Sequence, residues 1–305
     1  LRRRRFATPF KKARRLLVLL AALALAAVTA TAAPKKLLVV TQSKGFQHGP
    51  VKRPMPDQPC LVEQQLKELG EKSGVFTADF SQDAIAVLTK ENLAKYDAVF
   101  FYTTGSLLPA GEPREALLDF VKSGKGFIGT HSSTDTFHDF KGYTALINGR
   151  FAGHPWGSGT QCSFVNHEPE HPVVKMLGGD FQWKDEIYQY NDYDPKAVRV
   201  LYSLDMVKTN PKRPYLVPVC WVRDYGTGRL FYTNLGHDEA TWKDAKFHDH
   251  LLAGIKWATK LFDGPAAPPI GNTTVADARE RLGMEVAIMP FTEEYAMRSG
   301  DPRTI

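Results

Sequence analysis

The chain has 305 residues, 24% of them charged and 43% hydrophobic, with a formal net charge of +6. The first 33 residues hold eight Arg or Lys and no Asp or Glu, so +6 less eight leaves −2 on the rest. No basic patch remains to attract a polyanion, which argues against nucleic acid as a partner, and about 270 residues suffice for one large core.

Residues 1–33 predict an export signal. Arg2 to Arg5, Lys11, Lys12, Arg14 and Arg15 form a basic segment, Leu16 to Val28 an apolar one, and Ala30-Thr31-Ala32 an A-x-A cleavage signal. The apolar segment is about a dozen residues, short of the ~20 that span a bilayer. The expectation is a periplasmic or secreted protein with no stable membrane span after cleavage. A permanent N-terminal anchor is the competing reading. Arg3-Arg4-Arg5-Phe6 fits part of a twin-arginine pattern, and the export route stays open.

Next in the chain, "KKLLVVTQ" reads as a buried strand that ends in the polar loop "SKGFQHG". "CLVEQQLKELGEKSG" places Leu61, Val62, Gln65, Leu66 and Leu69 at helical spacing and stops at Gly70 or Gly74. "VFTADF" predicts a strand, "ENLAKY" a short helix, "DAVFFYTTG" a strand, "EPREALLDFVKSG" a helix and "KGFIGTHS" a strand. Solid apolar strands alternating with helices predict an α/β chain with a doubly wound, flavodoxin-like, mostly parallel sheet. Such sheets gather functional side chains at their carboxyl ends.

Beyond residue 160 the pattern turns to strands: "QCSFVNHE", "WKDEIYQY", "VRVLYSLD", and a hairpin in "PVCWVRDYGTGRLFYTN" around Gly226 and Gly228. A helix follows in "ATWKDAKFHDHLLAGIKWATK", with His248 and His250 expected to face solvent. The run "DGPAAPPIGNTT" is rich in Pro and Gly, so the expected organisation is signal 1–33, α/β domain 34–262, and linker with C-terminal extension 263–305. Cys60, Cys162 and Cys220 show no C-x-x-C spacing and read as small core residues, a Cys162–Cys220 bridge being the alternative.

The chemistry concentrates where strands end. In "GTHSS" the central position of a nucleophile elbow is His131, with Ser132 beside it. "FYTNLGHDEATW" delivers His237 from another strand, followed by Asp238 and Glu239. His48 follows the first strand, Thr104 the strand "DAVFFYTTG", and Asp185-Glu186 sits in "DEIY".

The layout resembles class I glutamine amidotransferases, in which an elbow cysteine works with a strand-end His-Pro-Glu. Here a histidine replaces the cysteine, so thioester chemistry at the elbow is unavailable. "KGFQH", "GKGFIGTHSSTDTF", "GRFAGHPW", "HPVVKMLGGDFQWKDEIYQY" and "PVCWVRDYGTGRLFYTNLGH", in that order, resemble the ThuA-like, trehalose-utilisation family over about residues 36–262. The resemblance implies an amidotransferase-like fold and a context in sugar utilisation, without a defined reaction.

If the loops converge, His48, His131 and His237 with one carboxylate suit a divalent metal such as zinc. Metal-free acid/base work is the rival, with His131 and His237 moving protons and Glu186 or Glu239 orienting them. A third alternative is that these histidines only close the strand ends. His48, Thr104, Trp156, Tyr188 and Arg150 are the candidate substrate contacts, and His154 could enter the site from a glycine-shaped loop. The expected ligand is a small carbohydrate or oxidised sugar, handled by hydrolysis, isomerisation or elimination; a non-catalytic carbohydrate-binding or scaffold protein is the alternative. No phosphate loop or G-x-G-x-x-G occurs, so no nucleotide or dinucleotide is expected. Oligomeric state is not legible.

Overall fold

The computed structural model describes residues 33–213 and 216–269. Residues 1–32 of the expected signal and 270–305 of the expected extension lie outside the described residues. Among the described residues no helix is long and apolar enough to cross a membrane.

The strands are β1 (Lys35–Val40), β2 (Phe76–Ser81), β3 (Ala98–Phe101), β4 (Gly126–Thr130), β5 (Arg150–Phe151), β6 (Trp156–Asn166), β7 (Phe181–Ile187), β8 (Tyr190–Asn191), β9 (Arg199–Leu204), β10 (Pro218–Tyr225) and β11 (Gly228–Thr233). Nine form one sheet in the order β2-β1-β3-β4-β11-β10-β9-β6-β7, and β5 pairs with β8 in a short ribbon. The first five strands in that order run parallel, and every later neighbour is antiparallel. The mostly parallel α/β sheet with an added hairpin region is therefore present.

Helices α1 (Leu61–Ser73), α2 (Ala84–Val87), α3 (Lys90–Leu93), α4 (Glu112–Lys122), α5 (Lys141–Ile147), α6 (Glu239–Trp242) and α7 (Ala245–Ala258) cover the sheet. Their ends follow local chemistry. Glu63 closes a capping box on the Cys60 backbone at the start of α1, and Asp244 accepts from the N–H groups of Lys246 and Phe247 at the start of α7.

Side chains alternate across each buried strand, which splits the core into two layers. Leu37, Val39, Phe100, Tyr102 and Ile128 pack with Val62 and Leu66 of α1 and Leu251 and Ile255 of α7. Leu38, Val40, Val99, Phe101 and Phe127 pack with Leu117 and Val121 of α4 and Leu146 of α5. Burying both faces is why these strands read as unbroken apolar runs.

Two local expectations change. His250 is fully buried, not exposed, because it lies three residues from Phe247 and shares its inward face; its Nδ1 donates to the Val173 carbonyl at 2.9 Å. Cys60, Cys162 and Cys220 are buried free thiols, so the alternative Cys162–Cys220 bridge is absent. Past α7 the chain stays on the body: Trp257 donates to the Gly264 carbonyl and Arg199 to that of Ala267.

Candidate metal centre

Four segments meet at the carboxyl end of the sheet. His48 comes from the loop after β1, His131 from just past the end of β4, Glu186 from the carboxyl end of β7, and His237 from the loop after β11. One potential ligand atom from each lies within 4.8 Å of all the others, so the cluster could hold a metal ion. His48, His131 and Glu186 are buried and His237 is one-fifth exposed, which leaves one approach from solvent.

His131 sits at the turn the sequence marks. Its φ of +40° is left-handed, uncommon for a residue with a Cβ, and it opens a 3-10 turn over His131–Asp135. The sharp turn needs Gly129 behind it, where a Cβ would stand 2.6 Å from Ser133 Oγ. The Tyr232 hydroxyl holds the His131 carbonyl at 2.8 Å.

The protonation pattern follows from the partners. His131 Nδ1 lies 2.9 Å from the Asn234 carbonyl, which can only accept, so the proton is on Nδ1 and Nε2 offers a lone pair. Burial, aided by the nearby His48 and His237, holds the His131 pKa well below its ordinary value, so the ring is neutral. Burial, then His237 and His154, also lowers His48 to about 3. For His237 burial acts downward too, but the hydrogen bond and charge of Glu186 outweigh it and raise the pKa.

His237 Nδ1 is 3.1 Å from Glu186 Oε1 and 3.1 Å from His131 Nε2, while those two acceptors are 3.6 Å apart. A proton on His237 Nδ1 thus bridges two acceptors. Removing it leaves three lone pairs converging on one point, the donor arrangement a cation requires. His48 adds a further mark: its Nε2 meets the Tyr188 hydroxyl at 3.1 Å, and its buried Nδ1 has no hydrogen-bond partner. Three imidazoles and a carboxylate, with one buried nitrogen uncommitted, fit a divalent ion.

Asp185 organises this end of the molecule. Its carboxylate is fully buried and accepts four hydrogen bonds, from the N–H groups of Glu186 (2.9 Å), Gly236 (2.7 Å) and Asp238 (2.9 Å) and from the Thr241 hydroxyl (2.9 Å). Burial pushes its pKa up to about 6 against those four bonds. The result ties the end of β7 to the loop that carries His237. Gly236, at φ +123°, also gives its carbonyl to Tyr102 and Trp242. Asn234 fixes the Tyr188 N–H through its side chain and His131 through its carbonyl.

The other sequence candidates divide. Tyr188 joins the cluster, its ring 4.3 Å from that of His131. His154 is half exposed, with Nδ1 3.4 Å from Glu186 Oε2, so it stands at the solvent side of the carboxylate. Thr104 clamps the loop before His48: its hydroxyl donates to the Phe46 carbonyl and accepts from the Gly45 N–H. Trp156 is fully buried and donates to the Pro211 carbonyl, with no surface to offer a ligand. Arg150 pairs with Asp192 at 2.9 Å, while its neighbour Phe151 packs on Tyr188. Glu239 pairs with Lys243 on the surface of α6. Phe46, in the loop before His48, is 66% exposed and stands 4.9 Å from the His48 ring. The roles of Asp185 as a four-way acceptor and of Asn234 carry no sequence signal beyond their nearness to Glu186 and His237.

A family model described as ThuA, trehalose utilisation, matches residues 36–258. A solved ThuA-like protein from Parabacteroides merdae superposes with a TM-score of 0.60 at 22% identity, over 74% of this chain and 90% of its own. Another from Bacteroides uniformis gives 0.60 at 20% identity, over 75% and 93%. At these identities the two structures speak for the fold. No curated protein sequence matches the chain.

Proposed function

From the chain's membership of the ThuA, trehalose-utilisation family, we propose that it acts on a carbohydrate or an oxidised-sugar derivative at the His48, His131, Glu186 and His237 cluster, around a divalent metal such as zinc. The observation that carries this is the meeting of four ligand atoms within 4.8 Å, with the His131 Nε2 lone pair held ready by the Asn234 carbonyl. A metal there would polarise a sugar carbonyl or hydroxyl, or lower the pKa of a bound water.

The chain's own groups divide the remaining work. With the metal bound, His237 and Glu186 would both serve as ligands; without it, His237, the partly exposed imidazole, would exchange a proton with substrate and Glu186 would orient it through their 3.1 Å contact. Tyr102, Tyr188 and Trp242 wall the cluster from water on the protein side. Phe46 and Phe151 flank the approach, and aromatic faces suit the C–H face of a sugar ring. These parts serve hydrolysis, isomerisation or elimination alike. Glutamine hydrolysis is disfavoured because position 131 carries no thiol and burial pushes Cys60 and Cys162 up to about 12.

The 3.1 Å contact between His131 and His237 favours a second reading, a metal-free acid/base pair sharing one proton. Elemental mass spectrometry on untagged protein separates the two, beside the His131→Ala and His237→Ala variants. About one zinc or similar ion per chain, lost in both variants, supports the metal. A wild type that stays empty after dialysis against zinc removes the metal and leaves the acid/base pair. Binding of an oxidised disaccharide that survives both substitutions, with no turnover in the wild type, would instead leave a binding or scaffold protein. Residence in the periplasm or outside the cell belongs to the same proposal and rests on the composition of residues 1–33; an uncleaved chain confined to the cytoplasmic fraction would refute it.

A further inference from the structure

The β5–β8 ribbon has two faces. Phe151 faces Tyr188 and the cluster, whereas Arg150, the adjacent residue, points the other way and pairs with Asp192. On that second side lies a cavity of about 810 Å³ lined by Lys141, Asn148, Arg150, Asp192, Asp194 and Arg223 among others. Its size falls within the range of small-molecule sites.

The cationic groups here are under-committed. Arg223 is half buried, lies over the Tyr225 ring with its guanidinium carbon 5.5 Å from the centroid, and donates only to neutral carbonyls, through Nη1 to Ala145 at 2.7 Å and through Nε to Asp224 at 3.4 Å. No carboxylate comes within ion-pair distance of it among the described residues, although Asp194 is near. Burial lowers its pKa, and Tyr225 and Asp194 offset only part of that. A guanidinium removed from water without a matching anion is costly unless something supplies one. Lys141 also has no partner among the described residues, and Arg150 uses only Nε on Asp192, leaving both terminal amino groups uncommitted.

The acceptors are fewer and placed differently. Asp192 gives one oxygen to Arg150, and Asp194 gives one to the Lys196 N–H, so each keeps one oxygen for a hydroxyl. Asn148 is occupied in holding the Asp194 backbone by two hydrogen bonds, which fixes that wall. Surplus cationic donors beside single carboxylate oxygens suit a ligand that is both an oxyanion and a polyol.

We propose that this cavity is a binding site for a small polyhydroxylated anion, a sugar acid or a sugar phosphate, separate from the metal cluster. Arg223, Lys141 and Arg150 take the oxyanion, and Asp192 and Asp194 take hydroxyls. The assignment does not depend on what the cluster does.

Calorimetric titration with D-gluconate, glucose 6-phosphate and D-glucose tests it on wild type and on Arg223→Gln, Lys141→Gln and His131→Ala. At least one anion should bind roughly tenfold or more tightly than glucose. The two anions distinguish a carboxylate from a phosphate source. Arg223→Gln and Lys141→Gln should each weaken that anion about tenfold without changing metal content, and His131→Ala should leave it unchanged; Lys141, being exposed, can be replaced without risk to the core. Equal affinity for glucose, loss only in His131→Ala, or no binding of either anion would overturn the proposal.

Discussion

Replacing Asp185 by Asn separates the stability of the fold from the integrity of the site. The amide oxygen can take the place of Oδ1 and keep the Glu186 and Asp238 N–H groups. The NH2 then stands where Oδ2 was. There the Thr241 hydroxyl can turn to accept, but the Gly236 N–H, 2.7 Å away, cannot. Losing that bond to a charged acceptor costs about 1.5–3 kcal/mol. Against this, a carboxyl whose pKa burial raises from 3.8 to about 6 costs about 3 kcal/mol to keep ionised at neutral pH, and Asn removes that cost. The two nearly cancel, so the metal-free protein should change in stability by less than about 2 kcal/mol. The site should not be spared, because the lost tether is the one next to His237; zinc affinity should fall roughly 10–100-fold, as when other groups that orient metal ligands are removed. Urea unfolding gives the first quantity and chelator competition the second. A folded variant that binds zinc within about twofold of wild type would refute this account of Asp185.

Three further outcomes follow from the geometry. Gly129→Ala should destabilise the protein by about 1–3 kcal/mol and disturb metal binding, since the new methyl meets Ser133 Oγ at 2.6 Å and Tyr232 at 3.2 Å; thermal melting and metal content together check it. Phe46→Ala should leave the melting temperature almost unchanged, because the side chain is 66% exposed, yet raise the KM for the sugar substrate about tenfold with kcat retained; unchanged KM would remove Phe46 from the approach. His250, neutral and buried with its pKa lowered from 6.5 to about 4, gives stability that is present above pH 6.5 and is lost as pH falls toward 4, since the unfolded chain takes up the proton first. Between pH 7 and pH 5 wild type should lose about 2 kcal/mol more than His250→Gln in urea unfolding of the metal-free protein, and equal losses would contradict it.

What the sequence revealed about the site depended on strand ends. His48, His131 and His237 each follow an apolar run, and a parallel sheet sends all such ends to one edge, so their meeting was legible before any coordinates. Glu186 was legible as part of an acidic pair, but which of the two carboxylates joins the cluster was decided by β7: Glu186 points into it, and Asp185 turns toward the backbone of the next loop. Trp156 and Arg150 show the limit. Both lie near glycines in a plausible rim segment, yet one sinks beside Pro211 and the other pairs with Asp192, outcomes set by packing partners distant in the chain. His250 misled for the same reason, because a helix flanked by charged residues on both sides buries whichever face its tertiary neighbours require.

The four cluster residues are spread from position 48 to position 237, one from each of four loops or strand ends. No fragment that ends before β11 can supply all four residues, because His237 follows that strand. Capture of the proposed ion would therefore report completion of the whole sheet and not of any local piece. If the chain is exported, as proposed, and by a route that passes it unfolded, the proposed ion would be acquired only at the destination, from whatever metals are present there.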